Sequence, residues 1–215
     1  MNSIRKYKDL IANLPVELQS STINKKIWRR VEYKEKSTIE NEIFGDEDSI
    51  EISRNDIFKE KDFRKKIIMT LMWGYPTGGR GNNIQNLLKE FNAIVDCLTS
   101  IYQRDLTNDE AEEIITKLDS INSLGISTWT KFLYFFEVSI ASNKCQIFDL
   151  KIVASLNKKQ FDDFEQKAWK QDIKHYLEYN EVVNNIARNL SLSPDRIELF
   201  LFLFNLGFMF ENKKE

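Results

Sequence analysis

Apolar residues recur every three or four positions along most of the chain, a pattern typical of α-helices that bury one face. The strongest example covers residues 56–73. The same spacing predicts helices at 4–14, 83–102, 107–121, 128–140, 150–156, 173–190 and 196–210, and one or two more at 16–35. Only Ser49–Ser53 has the alternation of a strand. We therefore predict an all-α fold, a single domain over 1–215 with possible lobes at 1–105 and 106–215.

Two helix starts carry specific local signals. Thr107-Asn-Asp-Glu110 matches a capping box, in which a threonine and a glutamate three residues later satisfy each other's backbone N–H groups. Ser193-Pro194-Asp195 places a capping serine before a proline in the first turn. These signals predict that one helix begins near residue 107 and another near residue 194.

The composition narrows the class of protein. A 42% hydrophobic share over 215 residues supports a substantial core. Two cysteines, Cys97 and Cys145, and one histidine, His175, are too few for a metal set, so we expect no metal and no cofactor. The four-cysteine set that binds an iron–sulfur cluster is absent from the sequence. No apolar run reaches the length of about eighteen residues that a membrane helix needs, and the first residues do not resemble a signal peptide. We therefore expect a soluble, intracellular protein.

Charge is distributed unevenly although the net charge is only −2. A basic run at residues 25–36 is followed directly by an acidic run at 40–51. The net charge provides no general attraction to nucleic acid. We interpret the two runs as solvated faces beside a loop, with a functional patch as the alternative.

The segment Leu124-Gly125-Ile126-Ser127-Thr128 lies between two predicted helices. An apolar residue, a glycine, an apolar residue and a small residue are typical of a tight hairpin between helices. We expect Gly125 to adopt a left-handed or otherwise strained conformation, with Leu124 and Ile126 packed against the helices. Backbone N–H groups at the start of the second helix lack internal acceptors and can bind a DNA phosphate.

Asp149 follows the hairpin by about twenty residues and precedes the helix predicted at 150–156. A carboxylate at the N-terminus of a helix stays ionised because the helix dipole and the backbone donors favour the anion. Beside a flipped nucleotide, such a group can stabilise positive charge on the sugar and activate a nucleophile.

These features together resemble the helix-hairpin-helix superfamily of DNA glycosylases, and most closely the bacterial proteins like 8-oxoguanine DNA glycosylase. The match covers residues 114–156, which include Thr130–Phe135, and it extends to Trp73-Gly74, Gly79-Arg80-Gly81 and Ser193–Phe202. The resemblance implies two helical lobes around a cleft and a duplex DNA partner with a flipped target base. It also implies a monomer in a prokaryotic cytoplasm, associated with the nucleoid. It departs at Ser127, which replaces the usual second glycine, and at 139–148, which has neither glycine nor proline.

The resemblance also implies roles for individual residues. Asp149 would be the catalytic carboxylate, and the DNA-binding residues would be Leu124, Gly125, Ile126, Ser127, Thr128 and Thr130. Lyase-type members carry a nucleophilic lysine where this chain has Trp129, which implies a glycosylase that uses water and leaves the strand uncut. Lys131, two residues further on, is the alternative nucleophile.

The base pocket is the least specific part of this interpretation. Flipped bases are recognised by stacking and by hydrogen bonds to their edges, which suits Trp73, Tyr75 and Arg80 in the glycine-rich stretch, and also Trp129 and Phe148. An ordinary connection between helices explains the stretch equally well. The sequence does not decide which base is excised. It also leaves open whether the role is base excision repair or removal of modified phage bases. A non-catalytic DNA-binding module and a helical scaffold are the remaining alternatives.

Overall fold

The computed structural model describes residues 3–29, 41–79 and 81–206. Helices dominate these residues, as predicted, but two small β-sheets are also present, so the fold is not strictly all-α. The described residues group into two compact units, one formed by 17–145 and the other by 3–16 with 146–206. These units divide the chain at points other than the lobes considered above, and the single domain stays a prediction.

The elements carry labels in chain order. The strands are β1 (Ser20–Asn24), β2 (Ser49–Ser53), β3 (Asp105–Leu106), β4 (Ser139–Ile140) and β5 (Asn143–Lys144). The labelled helices are α1 (Lys8–Ala12), α2 (Lys25–Trp28), α3 (Arg54–Lys59), α4 (Phe63–Gly74), α5 (Asn83–Lys89), α6 (Phe91–Ile101), α7 (Asn108–Ser120), α8 (Ile126–Phe135), α9 (Leu150–Asn157), α10 (Ile173–Leu190) and α11 (Pro194–Asn205). Short 3₁₀ helices occur at Ile4–Tyr7 and Val16–Leu18. Within the described residues, no helix combines the length and the apolar character needed to cross a membrane.

The helix predicted at 56–73 is two helices, α3 and α4, because each has its own cap. Ser53 and Asp56 form a capping box at the start of α3. Glu60 then adopts an extended conformation that ends α3, and the Asp62 side chain accepts a hydrogen bond from Lys65 N to begin α4. Polar caps therefore interrupted a continuous apolar pattern.

The predicted extended segment Ser49–Ser53 is confirmed as β2, whereas the helix predicted across 16–35 is wrong at residues 20–24. Those residues form β1, which pairs antiparallel with β2, with Ser20 opposite Ser53 and Ile23 opposite Ile50. The buried side chains of Ile23 and Ile52 belong to this sheet, which packs against α4. A partner some thirty residues away decided the conformation of β1.

The second sheet corrects the helix predicted to run to residue 140, because α8 ends at Phe135. Strand β4 pairs parallel with β3 and antiparallel with β5. Ala141 and Ser142 form the connecting turn with φ values of 47° and 63°. Asp105 Oδ1 accepts a hydrogen bond of 2.9 Å from Ser142 N, which helps to hold this left-handed turn without a glycine.

The sequence signals for helix starts were reliable. Thr107 and Glu110 form the predicted capping box of α7. Ser193 is the N-cap of α11 with proline in the first turn, although its hydroxyl makes no capping hydrogen bond. Helix α10 matches the predicted range 173–190. The helix predicted at 196–210 is described only to Asn205, and its last residues lie outside the described part of the chain.

The basic run is described only in part, because residues 30–40 lie outside the described residues. Lys25 corrects the expectation of a fully solvated face. Its side chain is 7% exposed, and its ammonium donates a hydrogen bond of 2.7 Å to Gly45 O. The ammonium also lies 5.9 Å from the centre of the Phe44 ring, so this lysine is part of the packing of the first unit.

Candidate active site and DNA-binding turn

A short turn at residues 121–125 joins α7 to α8, where the sequence predicted a hairpin. Ile121 ends α7, and Leu124 N donates a hydrogen bond of 3.0 Å to Ile121 O. The Leu124 side chain is buried as expected, whereas Ile126 is only half-buried. The turn is thus anchored mainly by Leu124.

Gly125 does not have the conformation expected of it. Its φ of −74° and ψ of 163° are ordinary for any residue, and the left-handed residue of the turn is Ser123, with φ of 67°. A Cβ atom added at Gly125 would meet no atom within 4 Å. Neither backbone strain nor packing within the described residues therefore requires glycine at this exposed position.

The first N–H groups of α8 form a set of donors. Gly125 O accepts hydrogen bonds from Thr128 N at 2.8 Å and from Trp129 N at 3.1 Å. The N–H groups of Gly125, Ile126 and Ser127 donate to no acceptor among the described residues, and no side chain caps the helix. Three adjacent donors at the positive end of a helix dipole are suited to bind an anion.

The side chains of Thr128 and Thr130 are both buried. The Thr128 hydroxyl shares a hydrogen bond with the Tyr75 hydroxyl, so it faces the end of α4. Contact of either threonine with DNA stays a prediction, and their burial weighs against it.

Lys131 lies beneath the first turn of α8. Its ammonium donates hydrogen bonds of 2.6 Å to Ser127 O and 2.9 Å to Ser127 Oγ. Its aliphatic stem crosses the last residue of α4, since a Cβ atom at Gly74 would lie 3.1 Å from Lys131 Cδ. The side chain is 7% exposed. This lysine therefore links the first turn of α8 to the end of α4.

The aromatic residues expected to line the base pocket belong largely to the core. Trp129 is fully buried. Trp73 is 8% exposed, and its Nε1 donates a hydrogen bond of 3.3 Å to Gln19 O. Tyr75 is half-buried, and Arg80 lies outside the described residues. A pocket role for these residues stays a prediction, and a base could reach Trp129 only if neighbouring side chains moved.

Asp149 is the N-cap of α9, as the sequence predicted. Its Oδ1 accepts hydrogen bonds from Lys151 N at 2.9 Å and Ile152 N at 3.1 Å. Its Oδ2 accepts none from the described residues, and the residue is half-buried. The two backbone bonds fix the orientation of the carboxylate.

Two tyrosines that sequence reasoning missed pack near Phe148, the residue that precedes Asp149. Phe148, fully buried, has its ring centre 4.8 Å from that of Tyr179 and 6.1 Å from that of Tyr176. Phe148 O accepts a hydrogen bond of 3.3 Å from Gln171 Nε2. The spacing of the tyrosines on the amphipathic helix α10 is the signal that could have placed them on its buried face.

A match to a known protein family covers most of the chain. Comparison with curated proteins and with solved structures gives no match. A family model does match, over residues 14–202. That range covers most of the chain and includes both the turn and Asp149. The chain therefore belongs to the family described as "Putative 8-oxoguanine DNA glycosylase OGG-like protein".

Proposed function

We propose that this protein is a monofunctional DNA glycosylase that flips a damaged or modified base out of duplex DNA and excises it with the help of Asp149. The observation that carries this proposal is the Asp149 carboxylate, held through Oδ1 by two backbone N–H groups within a chain of the glycosylase-like family. This carboxylate also follows the proposed DNA-binding turn by about twenty residues, the spacing that the resemblance to helix-hairpin-helix glycosylases implies for the catalytic aspartate.

The role of Asp149 follows from the charge that develops in the reaction. As the bond between C1′ and the base nitrogen breaks, positive charge accumulates on the deoxyribose, and a nearby carboxylate stabilises it. Water then forms a bond to C1′ and gives its proton to the carboxylate. The base leaves with a proton from solvent, and the product is an intact strand with an abasic site.

The end of the turn at residues 121–125 and the first residues of α8 supply the proposed contact with the DNA backbone. The N–H groups of Gly125, Ile126 and Ser127 are suited to a phosphate oxygen. The missing side chain at Gly125 supports this role, because open space there would let a phosphate approach the backbone closely. Such contacts hold DNA without reading its sequence.

Two observations favour water over a lysine nucleophile. Trp129, at the position where lyase-type relatives carry lysine, is fully buried. Lys131 is 7% exposed, and its nitrogen donates to Ser127 O and Ser127 Oγ, so it would have to leave both acceptors to reach C1′. The strand should therefore remain uncut until alkali is added.

The test uses duplexes that each contain one 8-oxoguanine, alkylated purine, uracil or hypermodified cytosine. We expect alkali-labile sites on at least one of these duplexes and no strand cleavage without alkali. Failure of every duplex at a large excess of protein would contradict the glycosylase proposal. A protein–DNA adduct trapped by borohydride would instead establish the lyase alternative, and loss of that adduct in Lys131→Gln would identify the nucleophile.

A further inference from the structure

Lys131 connects the end of α4 to the beginning of α8. Its stem packs on Gly74, and its ammonium donates to both the carbonyl and the hydroxyl of Ser127. A second tie runs parallel to it, because the Tyr75 hydroxyl shares a hydrogen bond with that of Thr128. Gly74 ends α4 and Tyr75 follows it. These two residues contact α8 at Lys131 and at Thr128.

The position of the Lys131 charge is unusual for a residue that serves stability alone. The ammonium reaches back to Ser127, at the N-terminal end of α8, where the helix dipole disfavours a cation. The nearby C-terminal end of α4, at Gly74, offsets part of that cost. An uncharged side chain such as methionine would fill the same space without the cost of burying a cation.

From this arrangement we infer that Lys131 is the positioning residue of the proposed phosphate site, which consists of the N–H groups of Gly125, Ile126 and Ser127. The ammonium fixes Ser127 so that the N–H groups of Gly125, Ile126 and Ser127 stay aligned toward one anion. Its positive charge beneath the turn adds to the attraction for that anion, which is a DNA phosphate. This inference rests on the proposed function and assigns Lys131 a role other than nucleophile.

The test measures the affinity of the full chain for a duplex that carries an uncleavable abasic-site analogue. We expect Lys131→Met to raise Kd about tenfold, which corresponds to about 1.4 kcal/mol. Lys131→Arg keeps the charge and should recover part of the loss. With a cleavable duplex, the loss should appear in KM, with a much smaller change in kcat. The unfolding temperature should change little.

Three further variants separate this role from general damage to the fold. Lys25→Met is the matched control, since Lys25 is also 7% exposed and donates to a backbone carbonyl, that of Gly45. It should bind DNA like the wild type. Gly74→Ala displaces the Lys131 stem, and Ser127→Ala removes one acceptor of the ammonium. Both variants should raise Kd, as Lys131→Met does. If Lys131→Met does not fold, the affinities of these two variants test the inference.

The outcomes are distinguishable. If the wild type does not bind the duplex, the proposed function fails and this inference fails with it. If the wild type binds and Lys131→Met binds equally well, only the inference is overturned. The inference is also overturned if Lys131→Met keeps the wild-type Kd but loses base release and a borohydride-trapped adduct, because Lys131 is then the nucleophile. A parallel fall in affinity and unfolding temperature for Lys131→Met, not recovered by Lys131→Arg, would reduce its role to packing.

Discussion

Helices α8 and α9 begin in opposite ways. Helix α9 is capped by Asp149, whose carboxylate satisfies the backbone donors of Lys151 and Ile152. Helix α8 begins at Gly125, where no side chain in the described part of the chain accepts a hydrogen bond from the first N–H groups. One helix start therefore presents a fixed negative charge, and the other presents donors that have no acceptor among the residues that the structure describes.

The difference shows that a helix N-terminus can either hold a side-chain carboxylate in place or leave its backbone donors for an external anion. A capped N-terminus has used its donors internally and cannot bind a further anion through them. An uncapped one costs stability in the free protein but gains it when an anion binds. Under the proposed function, α9 orients a reacting group and α8 holds the DNA backbone.

Gly125→Asp breaks this contrast by giving α8 the same cap as α9. The new carboxylate would accept hydrogen bonds from the first N–H groups of α8 and repel phosphate. We expect affinity for duplex DNA to fall about a hundredfold, since bonds to a charged group are worth roughly 1.5–3 kcal/mol. The free protein should become more stable by only about 0.3 kcal/mol, because glycine is already a tolerable N-cap. Titration of a labelled duplex and thermal unfolding measure the two effects, and unchanged affinity would contradict the role of the turn.

Gly125→Ala tests whether the open space at the turn matters for DNA. The backbone angles tolerate alanine, and its methyl group would meet no atom of the described residues. We expect the free energy of unfolding to change by less than about 0.5 kcal/mol. DNA affinity should fall about tenfold because the methyl group holds the phosphate away from the N–H groups. A variant that binds as tightly as the wild type would show that nothing approaches the backbone closely there.

Asp149→Ala measures how much the Asp149 carboxylate contributes to the free energy of unfolding as a helix cap, apart from its proposed role in base release. Alanine cannot accept the hydrogen bonds from Lys151 N and Ile152 N, so we expect a loss of about 1 kcal/mol in the free energy of unfolding. Denaturant titration measures this loss. Asp149→Asn should retain most of the stability, because asparagine is an equally good cap. Equal destabilisation by both substitutions would contradict the capping geometry.

Lys66 on α4 predicts a pH dependence of stability that is independent of the DNA contacts. Burial lowers the pKa of Lys66 from its usual 10.5, and Glu137 and Glu60 partly oppose that shift. Its ammonium lies 5.5–5.9 Å from the ring centres of Phe58, Tyr102 and Phe136. Between the lowered pKa and 10.5 the unfolded chain binds more protons than the folded one, so this group makes stability rise with pH. Denaturant titrations across that range should show the rise, and Lys66→Met should remove its contribution.

The sequence was most informative where local chemistry decides the structure. The capping role of Asp149 and the capping box at Thr107 depend on residues at most three positions apart, so the pattern alone predicted them. The turn before α8 was also found, although the left-handed conformation belongs to Ser123 and not to Gly125. A glycine marks a position that tolerates many angles, and it does not say which one is adopted.

The sequence was least informative where distant residues decide the structure. Strand β1 forms because β2 pairs with it, and no helical pattern within residues 16–35 could reveal that. The burial of Trp129 and Thr130 depends on the packing of α8 against other elements. The tie between Lys131 and Gly74 likewise joins residues 57 positions apart in the sequence, although both lie in conspicuous segments.

The most direct measurement is the single-turnover rate of base release by Asp149→Asn on the best duplex substrate. Asparagine keeps the cap of α9 but removes the negative charge, and we expect the rate to fall about a thousandfold while Kd and unfolding temperature are retained. Asp62→Asn, at the capped start of α4, is the matched control and should release base at the wild-type rate. Base release by Asp149→Asn at the wild-type rate would contradict the claim that this carboxylate performs the chemistry.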